Sequence, residues 1–340
     1  MKGLILAAGR GTRLRPLTDR RSKPMLPLAN QPLIAYPLQK LLYDGITEIG
    51  IVVGDNEDEL RAGLIHVPAE LTFIRQPEPL GLAHAVSFAE GFTGDDDFTL
   101  LFCDNLFSEP LALSSAEWHA RRLQSPELAA MIHVIELEDP RAFGVAVVGE
   151  DGWVTELEEK PAEPRSNLAV IGIDLLRPEI YRAIERIEPS PRGELEITDA
   201  LAELVRMGRR VYARRLSGFW YDTGTPADLI AALRPVMHEF GAYQLSGRYP
   251  DSELGGPVGI GRRSVVQGCR LEGPVMVGED CRVQDCQLGP YVTIGDGCAL
   301  ADCQLTDCQV YPGTKLSGAS DHEAIHDGEH RVDRETLPGG

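Results

Sequence analysis

The apolar positions of this chain change rhythm near residue 236. Before it, short aliphatic runs at 3–8, 48–53, 71–74 and 98–103 predict buried strands, and amphipathic stretches at 32–43, 57–64 and 81–91 predict helices between them. Such βαβα alternation predicts an α/β domain with a doubly wound, Rossmann-like and mostly parallel sheet, whose ligands sit at the carboxyl ends of strands. After a turn at Asp151-Gly152, the run to Glu159 alternates in polarity as a strand does. Beyond 236, aliphatic residues recur every five or six positions: Ile260, Val266, Leu271, Val277, Val283, Leu288, Ile294, Leu300, Leu305, Val310 and Leu316. Several precede glycine, and a period near six predicts a left-handed parallel β-helix. The expected organisation is a first domain over 1–235, a linker over 236–250, the β-helix over 251–318 and a polar, loosely held tail over 319–340.

Composition narrows the class. With 340 residues the chain can bury two cores, and its net charge of −19 argues against general nucleic-acid binding. No apolar run has the length of a membrane span, and the opening Met1-Lys-Gly-Leu starts a strand rather than a leader, so a cytoplasmic protein with no membrane partner is expected. The seven cysteines are an odd number, which suits reduced thiols better than a disulfide scaffold. Six of them, Cys269, Cys281, Cys286, Cys298, Cys303 and Cys308, stand two residues before an aliphatic and read as inward-facing core thiols; their spacing is not that of a zinc site.

Against that acidic background the loop after the first strand is basic. Arg10, Arg13, Arg15, Arg20, Arg21 and Lys23 share a fourteen-residue stretch with one acid, Asp19, and Gly9 and Gly11 let backbone approach a ligand. Backbone N–H groups with Arg and Lys side chains suit a polyphosphate. Without the glycines and the strand before them, a solvated loop would be the better reading of such a charge run. Asp104, at the carboxyl end of a hydrophobic strand, reads either as a hard oxygen ligand for Mg²⁺ or as a turn cap.

The segment Gly9-Arg-Gly-Thr-Arg-Leu-Arg-Pro-Leu-Thr with Ser22-Lys-Pro resembles the signature of the sugar-1-phosphate nucleotidyltransferases, most of all the long-form glucose-1-phosphate thymidylyltransferases. The resemblance implies nucleotide contacts at Leu6, Ala8, Gly9, Gly11, Thr12, Arg13 and Lys23, with Gln76 and Gly81 facing the base. Read alone, the Gln76–Gly81 segment is also a Pro-rich turn before a helix, and His84 stands where that family usually has Gln. The resemblance further implies Asn105, Gly144, Glu159, Lys160, Val170 and Gly172 around the sugar phosphate, and Mg²⁺ shared by Asp104 and Asp222 of Trp220-Tyr-Asp-Thr-Gly. Cys103 replaces the glycine of the family's Gly-Asp-Asn. Arg192-Gly-Glu-Leu-Glu-Ile-Thr-Asp199 also matches the family pattern, and helix capping explains part of it.

The implied activity is Mg²⁺-dependent transfer of a nucleotidyl group from a nucleoside triphosphate, dTTP in preference to UTP, to glucose-1-phosphate, with Arg13, Lys23 and Lys160 as catalytic cations in a homo-oligomer. Two other classes compete. An acyltransferase β-helix needs a general base, yet residues 251–318 hold no His and one Lys, Lys315. A regulatory subunit of the same fold need not keep Arg13, Lys23, Asp104, Lys160 and Asp222 together. In the tail, His322, His326 and His330 fall at helical i, i+4 spacing, where adventitious metal or nothing is expected.

Overall fold

The computed structural model describes residues 1–336. The chain forms two compact units, and the division does not follow the expected boundary at 235: Met1–Gly9 and Ile34–Trp220 make one, while Arg10–Leu33 joins the chain from Tyr221 onward in the other.

The first unit is built on a nine-stranded sheet. Strands Lys2–Leu6, Glu48–Val53, Glu70–Arg75 and Phe98–Phe102 run parallel; all but the half-exposed edge strand Glu70–Arg75 are buried on both faces, as their aliphatic runs require. The other half is mixed rather than parallel. Leu168–Leu176 lies antiparallel to Phe98–Phe102, to Leu128–Glu136 and to Gly144–Val148, and Val154–Glu159 extends the edge antiparallel to Gly144–Val148. The expectation of a mostly parallel sheet therefore holds only for the amino-terminal half. Between residues 136 and 168 non-helical connections replace the helical crossovers, which permits antiparallel pairing, whereas Arg210–Arg215, reached through two helices, pairs parallel with Leu128–Glu136. One continuous core runs from Leu4 and Leu100 through Ile132 and Ile180 to the apolar face of helix Ile197–Arg206.

The second unit is a three-sided parallel β-helix, consistent with left-handed coiling, together with helix Pro226–Phe240 and the basic loop. Each near-six period is one strand on one face. Leu254, Leu271, Leu288 and Leu305 stack in register at seventeen-residue steps, as do Val266, Val283 and Leu300. The six cysteines are buried among these columns. The Cys286 amide donates to Cys269 Sγ and the Cys303 amide to Cys286 Sγ, both at 3.3 Å, and Ser252 Oγ takes the same place above Cys269 at 3.1 Å. Sulfur thus serves as a corner acceptor while packing as a small hydrophobe.

Two expectations about the ends of the β-helix are corrected. The linker 236–250 is helix to Phe240, and Leu245 and Arg248 bridge to Ile260 and Val265 in parallel, so coiling begins before 251. The tail is not loose through its described part: Ser320–His322 and Ala324–Asp327 complete another coil, and His330–Asp333 folds back antiparallel on it. Residues 337–340 lie outside the described residues. The three tail histidines are on strands, not on one helix face. Asp321 stacks under Leu305 and His326 under Val310, and Asp321 takes His326 Nε2 at 3.2 Å and Arg331 Nε at 2.8 Å. Polar groups at positions that hold aliphatics in every earlier coil close the stack, as a capping repeat must. Among the described residues no helix is long and apolar enough to cross a membrane.

Candidate active site

In the second unit, the basic loop is a chain of short 3₁₀ turns, Thr12–Leu14, Leu17–Asp19 and Lys23–Met25. Gly11 is left-handed at φ +61°, and a Cβ there would come 2.8 Å from Lys23 Cβ, so its bareness lets the two ends of the loop close on each other. Lys23 is 8% exposed, an unusual burial for an ammonium. A Cβ on Gly9 would meet nothing within 4 Å, which leaves the backbone approachable. Thr225 and Asp228 form a capping box around the start of helix Pro226–Phe240, with Thr225 N–H donating to Asp228 Oδ2 at 2.8 Å. That cap holds the turn on which Asp222 and Gly224 lie. A Cβ on Gly224 would stand 2.9 Å from Arg13 Nη2 and 3.3 Å from Asp222 Oδ1, so the turn brings Arg13 and Asp222 to one spot.

The first unit carries the remaining positions. Leu6 and Ala8 bracket the end of the first strand, where Ala7 N–H donates to Val52 O at 2.8 Å and Asn56 Nδ2 to Ala7 O at 2.9 Å. Gln76 is 5% exposed, and its Nε2 donates to Gly81 O at 3.3 Å and reaches His84 Nδ1 at 3.0 Å. An amide nitrogen that serves a carbonyl must meet a ring nitrogen that accepts, so the His84 proton is on Nε2 and Gln76 Oε1 is turned away from both. The Cβ direction of Gly81 is filled by the Leu195 backbone, whose nitrogen would be 2.6 Å away. The glycine therefore serves the docking of segment 192–196. The base contact that the family resemblance implies at Gly81 would then be made by its backbone.

Cys103 is buried, and its backbone N–H donates to Leu6 O at 3.2 Å, which continues the ladder to the first strand. Asp104 follows at the turn. Asn105 is 4% exposed and donates its amide to Ile171 O. There the register of strand Leu168–Leu176 against Leu128–Glu136 slips between Val170 and Asp174, with Gly172 at φ +64° in the slip. Asn105 and Gly172 are adjacent, a Cβ on Gly172 coming 2.9 Å from Asn105 Nδ2.

Gly144, Glu159 and Lys160 come together at the end of the paired strands Gly144–Val148 and Val154–Glu159. Lys160 adopts φ +45°, rare for a residue with a Cβ, while its N–H donates to Phe143 O at 3.0 Å. Its Nζ lies 3.6 Å from Glu159 Oε1. Thr198 donates to Glu159 Oε2 at 2.7 Å and Arg192 Nη2 to Glu159 Oε1 at 3.3 Å. Burial holds the Glu159 carboxyl above its usual range, against the pull of the Thr198 hydroxyl. Arg192 also donates to the buried Glu196 at 2.6 Å, and Ser190 adds 2.9 Å. Glu196 stands at the helix N-cap yet makes no side-chain cap bond. Capping by Glu196 therefore does not explain the Arg192–Asp199 motif, although Asp199 stands in the first turn of the helix, where an acid is favourable. Thr198 and Arg192, which the sequence reading did not place in the site, support the Glu159 carboxylate, and the spacing of that motif was the only signal for them.

Among the described residues no group of three or more His, Cys, Asp or Glu side chains is arranged to hold a metal. Asp104 belongs to the first unit and Asp222 to the second. Each carboxylate is a hard oxygen donor of the kind that Mg²⁺ binds.

Residues 2–239 match the family described as nucleotidyl transferase. A glucose-1-phosphate thymidylyltransferase of Streptomyces griseus is 42% identical over 240 residues, which is 70% of this chain and 66% of that protein. A low-salt glycan biosynthesis nucleotidyltransferase of Haloferax volcanii is 41% identical over 243 residues, 70% of this chain and 67% of its own. The aligned stretch thus spans about two thirds of both relatives. A crystal structure of a UDP-glucose pyrophosphorylase complexed with UDP-glucose superposes with a TM-score of 0.61 at 28% identity, covering 68% of this chain and 96% of that one.

Proposed function

The chain belongs to the nucleotidyl transferase family, in its sugar-1-phosphate branch, and from that premise we propose that it makes dTDP-glucose and pyrophosphate from dTTP and glucose-1-phosphate. The observation that supports the sugar-phosphate half is the Glu159–Lys160 pair: a half-buried carboxylate fit to accept sugar hydroxyls, beside an ammonium on a left-handed backbone.

A phosphate oxygen of the sugar attacks the α-phosphorus in line, one P–O bond forming as the bond to pyrophosphate breaks. No protein nucleophile is needed, so the residues align and neutralise. Lys160 takes the incoming phosphate and Arg13 and Lys23 take charge growing on the triphosphate, with Thr12 and the bare backbone at Gly9 and Gly11 beside it. Gln76 Oε1 accepts from the pyrimidine N3–H, while Asn105, Val170 and Gly172 wall the sugar. Asp104 and Asp222 would hold Mg²⁺, which supplies charge neutralisation at the phosphates when bound. Reduced core thiols accord with a cytoplasmic setting.

A second reading keeps the chemistry and exchanges dTTP for UTP, favoured by the likeness to the UDP-glucose pyrophosphorylase structure. Pyrophosphate release from glucose-1-phosphate with dTTP, UTP, ATP, GTP and CTP, with and without Mg²⁺, tests both. Mg²⁺-dependent turnover fastest with dTTP is expected. Preference for UTP would select the second reading, and silence with every nucleotide and several sugar phosphates would leave a regulatory subunit.

A further inference from the structure

We infer that Asp327, in the last coil of the β-helix, positions the triphosphate loop through Arg21, making the β-helix a working part of the nucleotide site. The inference rests on the nucleotidyl-transfer reading above.

Arg21 Nη2 donates to Asp327 Oδ1 at 3.0 Å across 306 residues of sequence, with side-chain exposures of 19% and 2%. The same guanidinium lies 5.2 Å from the ring centroid of buried Tyr311, which adds a cation–π contact. Its neighbour Arg20 lies against Gly328, where a side chain would collide with it. Farther along the loop, Asn30 Nδ2 donates to Ile294 O at 2.9 Å. The β-helix therefore grips the loop on both sides of Lys23. Between the grips the backbone turns tightly, Met25 N–H donating to Ser22 O at 2.9 Å and Leu26 N–H to Lys23 O at 3.1 Å. A shift at Arg21 thus passes to Lys23 two residues later.

The arrangement is poor as a device for stability alone. Asp327 Oδ2 and the Tyr311 hydroxyl are buried without a hydrogen-bond partner among the described residues. Charge desolvated with half its lone pairs unmet returns little net stability, but it fixes one geometry strongly. Helix Pro226–Phe240, which follows the Asp222 turn, is tied to the same β-helix, Arg234 Nη2 donating to Asp307 Oδ2 at 2.7 Å and His238 Nε2 meeting the Tyr291 hydroxyl at 2.8 Å. Both loop and turn are referred to one rigid body of parallel strands.

The test uses the full chain and the isosteric Asp327→Asn. Hydrogen exchange without substrates should speed in residues 10–33 and stay unchanged in strand Lys2–Leu6. Steady-state kinetics should show KM for the nucleotide raised about tenfold and kcat lowered, with KM for the sugar phosphate within about twofold. Asp327→Glu should recover part of the loss, and Arg263→Ala, which breaks an exposed ion pair with Asp280 elsewhere on the β-helix, should change neither readout. If Asp327→Asn does not accumulate as folded protein, Arg21→Lys carries the same expectation from the loop side. Unchanged exchange in 10–33 overturns the inference, whatever the kinetics. Faster exchange in a protein whose parent shows no transfer with any nucleotide upholds the clamp and removes the proposed function instead.

Discussion

Thr198 Oγ1 donates to Glu159 Oε2 at 2.7 Å in the space that a side chain at Gly144 would occupy. A Cβ at 144 would overlap the Thr198 hydroxyl and stand 3.2 Å from Glu159 Oε2. Gly144→Ala should therefore turn the carboxylate away from the position proposed to face the sugar. We expect KM for the sugar phosphate to rise on the order of tenfold, since displacing a positioning group by about 1 Å can cost as much as 10²-fold. The nucleotide KM should hold. A rise confined to the nucleotide KM would remove Glu159 from the sugar site.

Gln76 tests the base. Its Nε2 serves Gly81 O and His84 Nδ1, and His84→Ala deletes one of the two contacts that orient it. One hydrogen bond is worth about 0.5–1.5 kcal/mol, so nucleotide KM should rise roughly two- to tenfold. Gln76→Glu cannot donate to either partner and should cost more. Wild-type nucleotide KM in both variants would place the base elsewhere.

Asp174 gives a signature in pH. It is fully buried in the sheet, both carboxylate oxygens lack a partner among the described residues, and burial pushes its pKa from 3.8 to about 7. The folded state then binds the extra proton between those values, so this contribution is complete below about pH 4 and is lost as pH rises through about 7. His133 slopes the other way. Burial lowers its pKa from 6.5 to about 4, and its contribution is present above 6.5 and lost as pH falls towards 4. Asp174→Asn should raise the urea midpoint at pH 8, by up to ~4 kcal/mol in unfolding free energy, and barely alter it at pH 4. Equal gains at both pH values would mean that charge is not the cause.

The six β-helix cysteines should be silent towards a small thiol reagent in the native protein and react together on unfolding, because each is at most 3% exposed. Prompt labelling of even one under native conditions would contradict the packing of the stack.

What the sequence made legible was whatever repeats or stays local. The six-residue rhythm of aliphatics became three faces of a β-helix, and the aliphatic runs became the parallel half of the sheet. The antiparallel half was not legible, because a short buried run such as 168–176 looks the same in either direction. The last coil was missed because Asp321 and His326 take positions held by aliphatics in earlier coils. Glu159 and Lys160 were visible as a motif, whereas the Thr198 support depends on a contact 39 residues away. Nothing near Arg21 announces Asp327.

That last separation bears on how the protein is made. A ribosome adding about 5–20 residues each second releases Asp327 roughly 15–60 s after Arg21. The sheet of the first unit can close meanwhile, since its final strand ends at Arg215, but the loop between Arg10 and Leu33 must wait for the β-helix to wind to its last coil. A nascent chain stalled within that coil would carry a finished α/β sheet and a basic loop still without its Asp327 anchor, so the order of residues 10–33 follows the winding of the β-helix and not the closing of the sheet.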